Sequence, residues 1–306
     1  MTFEEHNNRL KANKFAEYIT GQELRKYAAK KVRKYVGNNP IVFDGACGSG
    51  QLEQHVHARK VYGVEIQQES CESFLKNFPT SEVSNQSFFT YKNDIVTDCV
   101  IMNPPFSIAF KGLPEEDKNA IQEVFSWKKS GKVDDIFVLK SLKHTKRFAF
   151  YILFPGVAYR GTEKKFRELI GNQLAELNVI QNAFDDTSID VLFIVIDKNK
   201  TSNYCTREIY DCKARSILLS DNWEIDFESW ETPRIVEEKE KIDIDAVNKE
   251  LNDIALKHLE KHLASQLLVI QMFNADIDLL AFIAKAHELL DTYALMYNFG
   301  SEAWQR

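Results

Sequence analysis

Ile41-Val-Phe-Asp44-Gly-Ala-Cys47-Gly48-Ser-Gly50 is the stretch whose reading decides the fold. Ile41 to Phe43 form a short buried strand, set off from an upstream helix by the breaker Gly37-Asn-Asn-Pro40. Gly45, Gly48 and Gly50 predict a tight turn that brings backbone close to a ligand and runs into a helix from Gln51. Their Gly-x-x-Gly-x-Gly spacing behind an aspartate differs from the dinucleotide fingerprint Gly-x-Gly-x-x-Gly. The next strand, Val61 to Ile66, carries Glu65 near its end, where a carboxylate can accept both ribose hydroxyls of an adenosyl group. Strand, turn, helix, strand and acid in this order predict an α/β domain that binds a nucleoside cofactor.

Cys99-Val-Ile-Met-Asn103-Pro104-Pro105-Phe106 is the second informative stretch. Cys99 to Met102 read as a buried strand that stops at two prolines, which lack N–H donors and cannot continue a ladder. The Asn103 amide and the Pro104 carbonyl are thereby held at a strand end beside the Phe106 ring. Two acceptors next to a flat apolar face suit a planar amine, oriented by its N–H groups and stacked on the aromatic. The plain alternative is a proline-stopped strand entering a loop.

Composition sets the outer bounds. The 306 residues, 44% hydrophobic and 27% charged, suit one large soluble domain or a domain with an appendage. No apolar run approaches the roughly 20 residues of a membrane span, and the N-terminus lacks a signal-peptide core. The five cysteines form no Cys-x-x-Cys pair, so a reduced, cytoplasmic protein without structural zinc is expected. His55 and His57, and His258 and His262, lack a third ligand, so no metal site is predicted. The net charge is −6, yet residues 128–167 hold eleven basic residues against Asp134, Asp135 and Glu163. That basic region is the expected footprint for DNA phosphates, although solvated helix faces give the same count.

The two motifs resemble those of S-adenosylmethionine (SAM)-dependent DNA adenine-N6 methyltransferases, in the order found in the gamma class and in type I restriction modification subunits. The resemblance covers about 15–200. Asp44-Gly-Ala-Cys-Gly-Ser-Gly50 is similar to the family's Asp-Pro-Ala-Cys-Gly-x-Gly, and Asn103-Pro-Pro-Phe106 to its catalytic motif. It implies a Rossmann-like central sheet with helices on both faces. SAM would be bound by Asp44, Ala46, Cys47, Gly48, Gly50 and Glu65, with Asn103, Pro104, Pro105 and Phe106 as the catalytic residues. Glu17-Tyr18-Ile-Thr20 resembles the segment over the methionine end of SAM, which places Tyr18 and Thr20 in the site, with Gly21 where the family commonly has proline. Ser87-Phe88-Phe89 stands where the family has Asp-Phe, and that aspartate binds the cofactor's adenine amine. Ser87 would accept a weaker bond, at a cost of about 1 kcal/mol, or Asp94 would approach from the same loop. Asp135 to Leu139 matches a helix start, Phe150 to Gly156 and Asp190 to Asp197 later strands, and Phe184 an aromatic on the other face of a flipped base.

Domain organisation is predicted as an N-terminal helical segment contributing to the SAM site (1–36), a catalytic domain (37–200) and a C-terminal extension (201–306). The extension reads as irregular around Trp223 to Trp230, then as a helical hairpin over 245–294 that breaks at Phe273 to Asp276. The hairpin would either close the catalytic domain's own core or serve a specificity subunit or self-association. Two other functions suit the same residues: methylation of an RNA adenine or a protein glutamine, and a non-catalytic SAM-fold scaffold that binds nucleic acid or a partner.

Overall fold

The computed structural model describes residues 3–4, 20–106, 108–184, 189–235 and 243–273, with scattered positions from 278 to 288. Two compact units divide at Ile235/Val236. In chain order the first unit contains α1 (Gln22–Tyr35), β1 (Ile41–Asp44), β2 (Lys60–Glu65), α2 (Gln68–Asn77), β3 (Glu82–Asn85) and β4 (Thr97–Met102). It continues with α3 (Glu115–Val124), α4 (Asp134–Ser141), β5 (Thr145–Leu153), α5 (Lys164–Ile170), β6 (Leu174–Gln181), β7 (Val191–Asp197), β8 (Tyr204–Asp211) and β9 (Ser216–Glu224). The second unit contains α6 (Ile244–Phe273).

The nine strands form one sheet in the order β3-β2-β1-β4-β5-β7-β6-β8-β9. β3 to β5 are mutually parallel, and β7 runs antiparallel between β5 and β6. The strands that read as near-continuous apolar runs are those covered on both faces. Along β4 and β5, Val100, Met102, Ala149 and Tyr151 join one core with Ile136 and Phe137 of α4 and Phe166 of α5. Cys99, Ile101, Phe150 and Ile152 alternate into the other, against Leu24, Ala28 and Val32 of α1 and Phe74 of α2. This is the expected α/β sheet with helices on both faces.

Three boundaries differ from the sequence reading. α1 begins at Gln22, and residues 9–19 of the predicted helix lie outside the described residues. The sheet does not end near 200, since β8 pairs with β6 and β9 with β8, so the first unit reaches Ile235. Trp223 and Glu224 finish β9, and residues 225–230 are irregular but anchored: the Trp230 ring is buried against Phe166, and the Trp230 backbone N–H donates to the Ala158 carbonyl at 2.8 Å. The sequence reading stopped the sheet too early because β9 is an edge strand with mixed polarity, which carries little periodic signal. The predicted hairpin break at 274–276 lies outside the described residues.

A buried ionic cluster ties α1 to the far half of the sheet. Lys31 donates to Glu176 and, at 2.7 Å, to Glu208, while Lys34 and Tyr35 donate to the other Glu176 oxygen. Burial pushes the Glu176 carboxyl up, but these cations and hydroxyls outweigh it and hold it at about 2. Lys31→Met removes the buried cation shared by two carboxylates and, among the described residues, leaves Glu208 with only the Tyr27 hydroxyl, so it is expected to lower unfolding free energy by about 3–5 kcal/mol in urea titrations. Lys34→Met removes a half-exposed partner and should cost less than about 1 kcal/mol. Equal losses would show that the cluster does not anchor the helix.

Candidate active site

β1, β2 and β4 are parallel neighbours, so the residues at their C-terminal ends share one edge of the sheet. Asp44 closes β1 opposite Gly63 of β2, Glu65 ends β2, and Asn103 follows β4. The strand order reverses between β1 and β4, the place where open α/β sheets form ligand crevices. A cavity of about 360 Å³ opens there. Among the residues lining it are Thr20, Asp44 to Ser49, Glu65, Ser87 to Phe89, Asn103 to Phe106 and Asp117. Among the described residues its acidic lining residues are Asp44, Glu65 and Asp117, and no Lys or Arg lines it.

The glycine turn is satisfied internally. The Ala46 N–H donates to Asp44 Oδ1 (2.7 Å), Cys47 N–H to the Val64 carbonyl (3.1 Å), Gly48 N–H to Glu65 Oε2 (3.0 Å) and Gly50 N–H to the Cys47 carbonyl (2.8 Å). The predicted helix from Gln51 is absent: Gln51 to Val56 form successive turns. Gly50 (φ 82°) and His57 (φ 56°) bound the segment in left-handed backbone, leaving too few residues to nucleate a helix. With its N–H groups used and three acids around it, the turn is no phosphate cradle and suits a neutral or cationic ligand. Glu65 also accepts the Gln67 N–H at 2.7 Å, which orients its carboxylate towards the cavity and leaves lone pairs for hydroxyls. Cys47 contributes wall rather than nucleophile, since burial, reinforced by the Asp44 charge, pushes its thiol well above the usual range.

Asn103 Nδ2 donates to Thr20 Oγ1 at 3.0 Å. That bond fixes the amide so that Oδ1 is the free acceptor, and Oδ1 is buried with no donor among the described residues. An orphaned carbonyl oxygen is costly unless a ligand supplies its donor. Thr20 is fixed in turn, because its carbonyl accepts Arg25 Nε at 2.6 Å and the Arg25 guanidinium is buried against Gln54.

A sequence profile of N-6 DNA methylases matches residues 3–261. The chain belongs to the N-6 DNA methylase family. The fold is shared with a type I restriction–modification methyltransferase subunit from Streptococcus thermophilus (19% identity, TM-score 0.54, 65% of this chain and 50% of that one). It is also shared with a modification subunit assigned to a type I restriction enzyme of Vibrio vulnificus (14%, 0.51, 65% and 50%). A protein described as a class I SAM-dependent methyltransferase from Listeria monocytogenes is similar too (12%, 0.54, 63% and 65%). The chain thus spans half the length of the two modification subunits. No curated protein matches the sequence.

The departures from the methylase motifs have local causes. Gly21 has φ −62° and ψ 151°, backbone that proline adopts, but a Cβ there would lie 2.6 Å from the Ala183 carbonyl oxygen. A Cβ at Gly45 would meet the Phe88 ring at 2.7 Å and Met102 Cε at 2.8 Å, because Phe88 lies across the turn. Ser87 lines the cavity, whereas Asp94 is exposed, pairs with Lys143 at 3.0 Å and is not among the lining residues. Tyr18 lies outside the described residues. Phe106 and Phe184 do not form a slot in this conformation: their centroids are 6.3 Å apart with planes at 67°, the edge-to-face contact two rings prefer when nothing lies between them.

The basic region 128–167 does not form one continuous stripe of free cations. Lys128 is buried against Asp135, and Arg167 is buried on the Val157, Arg160 and Glu228 carbonyls. Arg147, Lys164 and Lys165 pair with Asp197, Glu228 and Glu168. Lys143, Lys146 and Arg147 also sit where β5 begins, whereas the site lies level with its far end, where Tyr151 pairs with Met102. Five strand residues separate the two levels, roughly 17 Å. A linear charge count could not see this, because helix α4 and strand β5 deliver their cations to opposite places.

Sequence reading also missed Glu53, fully buried behind the turn and without a donor on either oxygen among the described residues. Burial pushes its carboxyl well up, the neighbouring Asp44 carboxylate adds to that, and Arg25 opposes it weakly. Burial also raises Asp44, to about 6. The arrangement that satisfies both is a neutral Glu53 donating to Asp44. The folded chain then keeps a proton that the unfolded chain releases above about pH 4.3. Stability from this group is full below that pH and is lost as pH rises towards the folded value. Glu53→Gln keeps the donor and removes the titration, so its urea midpoint should gain on the parent's between pH 5 and pH 8. A difference that is flat or shrinks with pH would contradict the shared proton.

Proposed function

We propose that the protein transfers the methyl group of SAM to the N6 amine of an adenine in DNA. The observation that carries this reading is the buried, donorless Oδ1 of Asn103 at the mouth of an acid-lined cavity. SAM is a sulfonium with no phosphate, and bound there it would supply an electrophilic methyl. The chemistry of the lining fits it. Glu65 would take the ribose hydroxyls, Asp44 and residues Ala46 to Ser49 of the turn would form the wall beside it, with Gly50 outside the lining, and Thr20 would lie between cofactor and amide. Phe88 and Phe89 would flank the adenine.

The target amine is a poor nucleophile because its lone pair is delocalised into the ring. Asn103 Oδ1 and the Pro104 carbonyl would accept its two N–H groups, draw the nitrogen towards sp³ and aim the lone pair into the cavity. The gain comes from positioning and from fixed dipoles facing developing positive charge, with no strong base needed. The adenine must leave the duplex to reach this depth, at a cost of a few kcal/mol. Phe106 would recover about 1–3 kcal/mol by stacking, once it swings clear of its contact with Phe184.

Several cations of the basic region are buried or paired, which supports a partner chain or second copy as a further source of DNA affinity and sequence preference. α6 exposes Val247, Leu251 and Ile254 at helical spacing, together with Leu267 and Met272, a stripe suited to such a contact. Asn103→Ala is expected to leave SAM affinity by calorimetry within twofold of the parent and to lower turnover on DNA about 100-fold or more. Parent-like turnover would overturn the catalytic assignment.

A further inference from the structure

Ser87 leaves the cavity without the acid that the family's motif places at that position, yet an acid reaches the same end from another element. α3 opens with Glu115-Glu116-Asp117. Glu115 and Glu116 are exposed, where they suit the positive end of the helix dipole. Asp117 is turned inward, 6% exposed, and with Ile121 one turn on it forms the helix's buried stripe. The helix thus buries a carboxylate where an amphipathic helix buries an apolar side chain. Among the described residues no hydrogen bond or ion pair reaches it, which is unfavourable for a carboxylate unless something else supplies a donor.

That donor must come from the cavity, because Asp117 lines it. Lys140, which donates to the Phe89 carbonyl at 2.5 Å, is also attracted by the Asp117 charge, which puts the two on the same side of the cavity. Asp117 therefore faces the Ser87–Phe89 end, where the Phe88 and Phe137 rings stack on each other (centroids 5.5 Å apart, planes at 12°) and both line the cavity with Phe89. A planar base bearing a primary amine satisfies both features at once, lying against this aromatic lining with its N–H on the carboxylate.

On the reading that SAM occupies this cavity, we propose that Asp117 accepts the exocyclic amine of the cofactor's adenine. It supplies from α3 the charged acceptor that Ser87 does not. The assignment makes Asp117 a specificity residue: a carboxylate favours an amine donor and repels the carbonyl oxygen that a deaminated base presents instead.

Calorimetry with S-adenosylhomocysteine and its deaminated analogue, S-inosylhomocysteine, tests this. The parent should bind the adenosyl form at least tenfold more tightly. Asp117→Ala should lose that preference, chiefly by weakening the adenosyl form, with the inosyl form bound as well as by the parent or better. Asp117→Asn can turn its amide either to accept from the adenosyl amine or to donate to the inosyl carbonyl, so it should keep binding the adenosyl form but with a much smaller preference, whereas Ser87→Ala should retain the preference. Without ligand, the thermal midpoint of Asp117→Ala should equal or exceed the parent's, since an unpaired buried charge is gone. Equal weakening of both ligands in Asp117→Ala, or a preference that survives it, would overturn the inference alone. Failure of the parent to bind S-adenosylhomocysteine would overturn the cofactor reading with it.

Discussion

The parallel pairing of β1 with β2 on one side and β4 on the other is the constraint on which everything else rests. It gathers Asp44, Glu65 and Asn103 at one edge, although they lie far apart in the chain. Val42 opposite Cys99 and Phe43 opposite Val100 set the register. A slip of one residue would exchange the two buried faces and bring every core side chain out of its layer. The edge is thus fixed by the hydrophobic sheet, and the polar groups of the site inherit their positions from it.

Upon that edge the site is assembled by polar groups that hold one another. The turn's N–H groups are spent on Asp44, Glu65 and neighbouring carbonyls, so its rigidity is internal and needs no ligand. Arg25 holds Thr20, Thr20 holds the Asn103 amide, and the one acceptor left over is the oxygen that would meet substrate. The acid-rich lining works in the same direction, repelling phosphates and favouring a cation. Together these features give the site a preference for its ligands before either is bound.

Much of this was legible in the sequence, because strands β1, β2 and β4 are short apolar runs ended by unmistakable breakers. The glycine turn, Glu65 and the Asn-Pro-Pro-Phe segment were readable as residue types whose chemistry depends little on context. What failed depended on three-dimensional placement. The helix expected from Gln51 is prevented by the left-handed backbone at Gly50 and His57, which no periodicity reports. The basic region dissolved because Lys128 and Arg167 point into the core while their sequence neighbours point out. Glu53 and Asp117 carry no mark in the sequence that separates them from other acids, since burial of a carboxylate has no signature in a single sequence.

The chain spans half the length of the modification subunits whose fold it shares, and several cations of its basic region are paired. The central claim is therefore chemical: the orphaned amide oxygen of Asn103 selects an adenine amine in DNA. The most direct measurement is mass spectrometry after incubating the full chain with methyl-labelled SAM and separate DNA, RNA and protein fractions, each digested to its units. The account predicts label in N6-methyladenine from DNA, absent when the chain is omitted. Label confined to RNA adenine or to protein glutamine, with none in DNA, would contradict it.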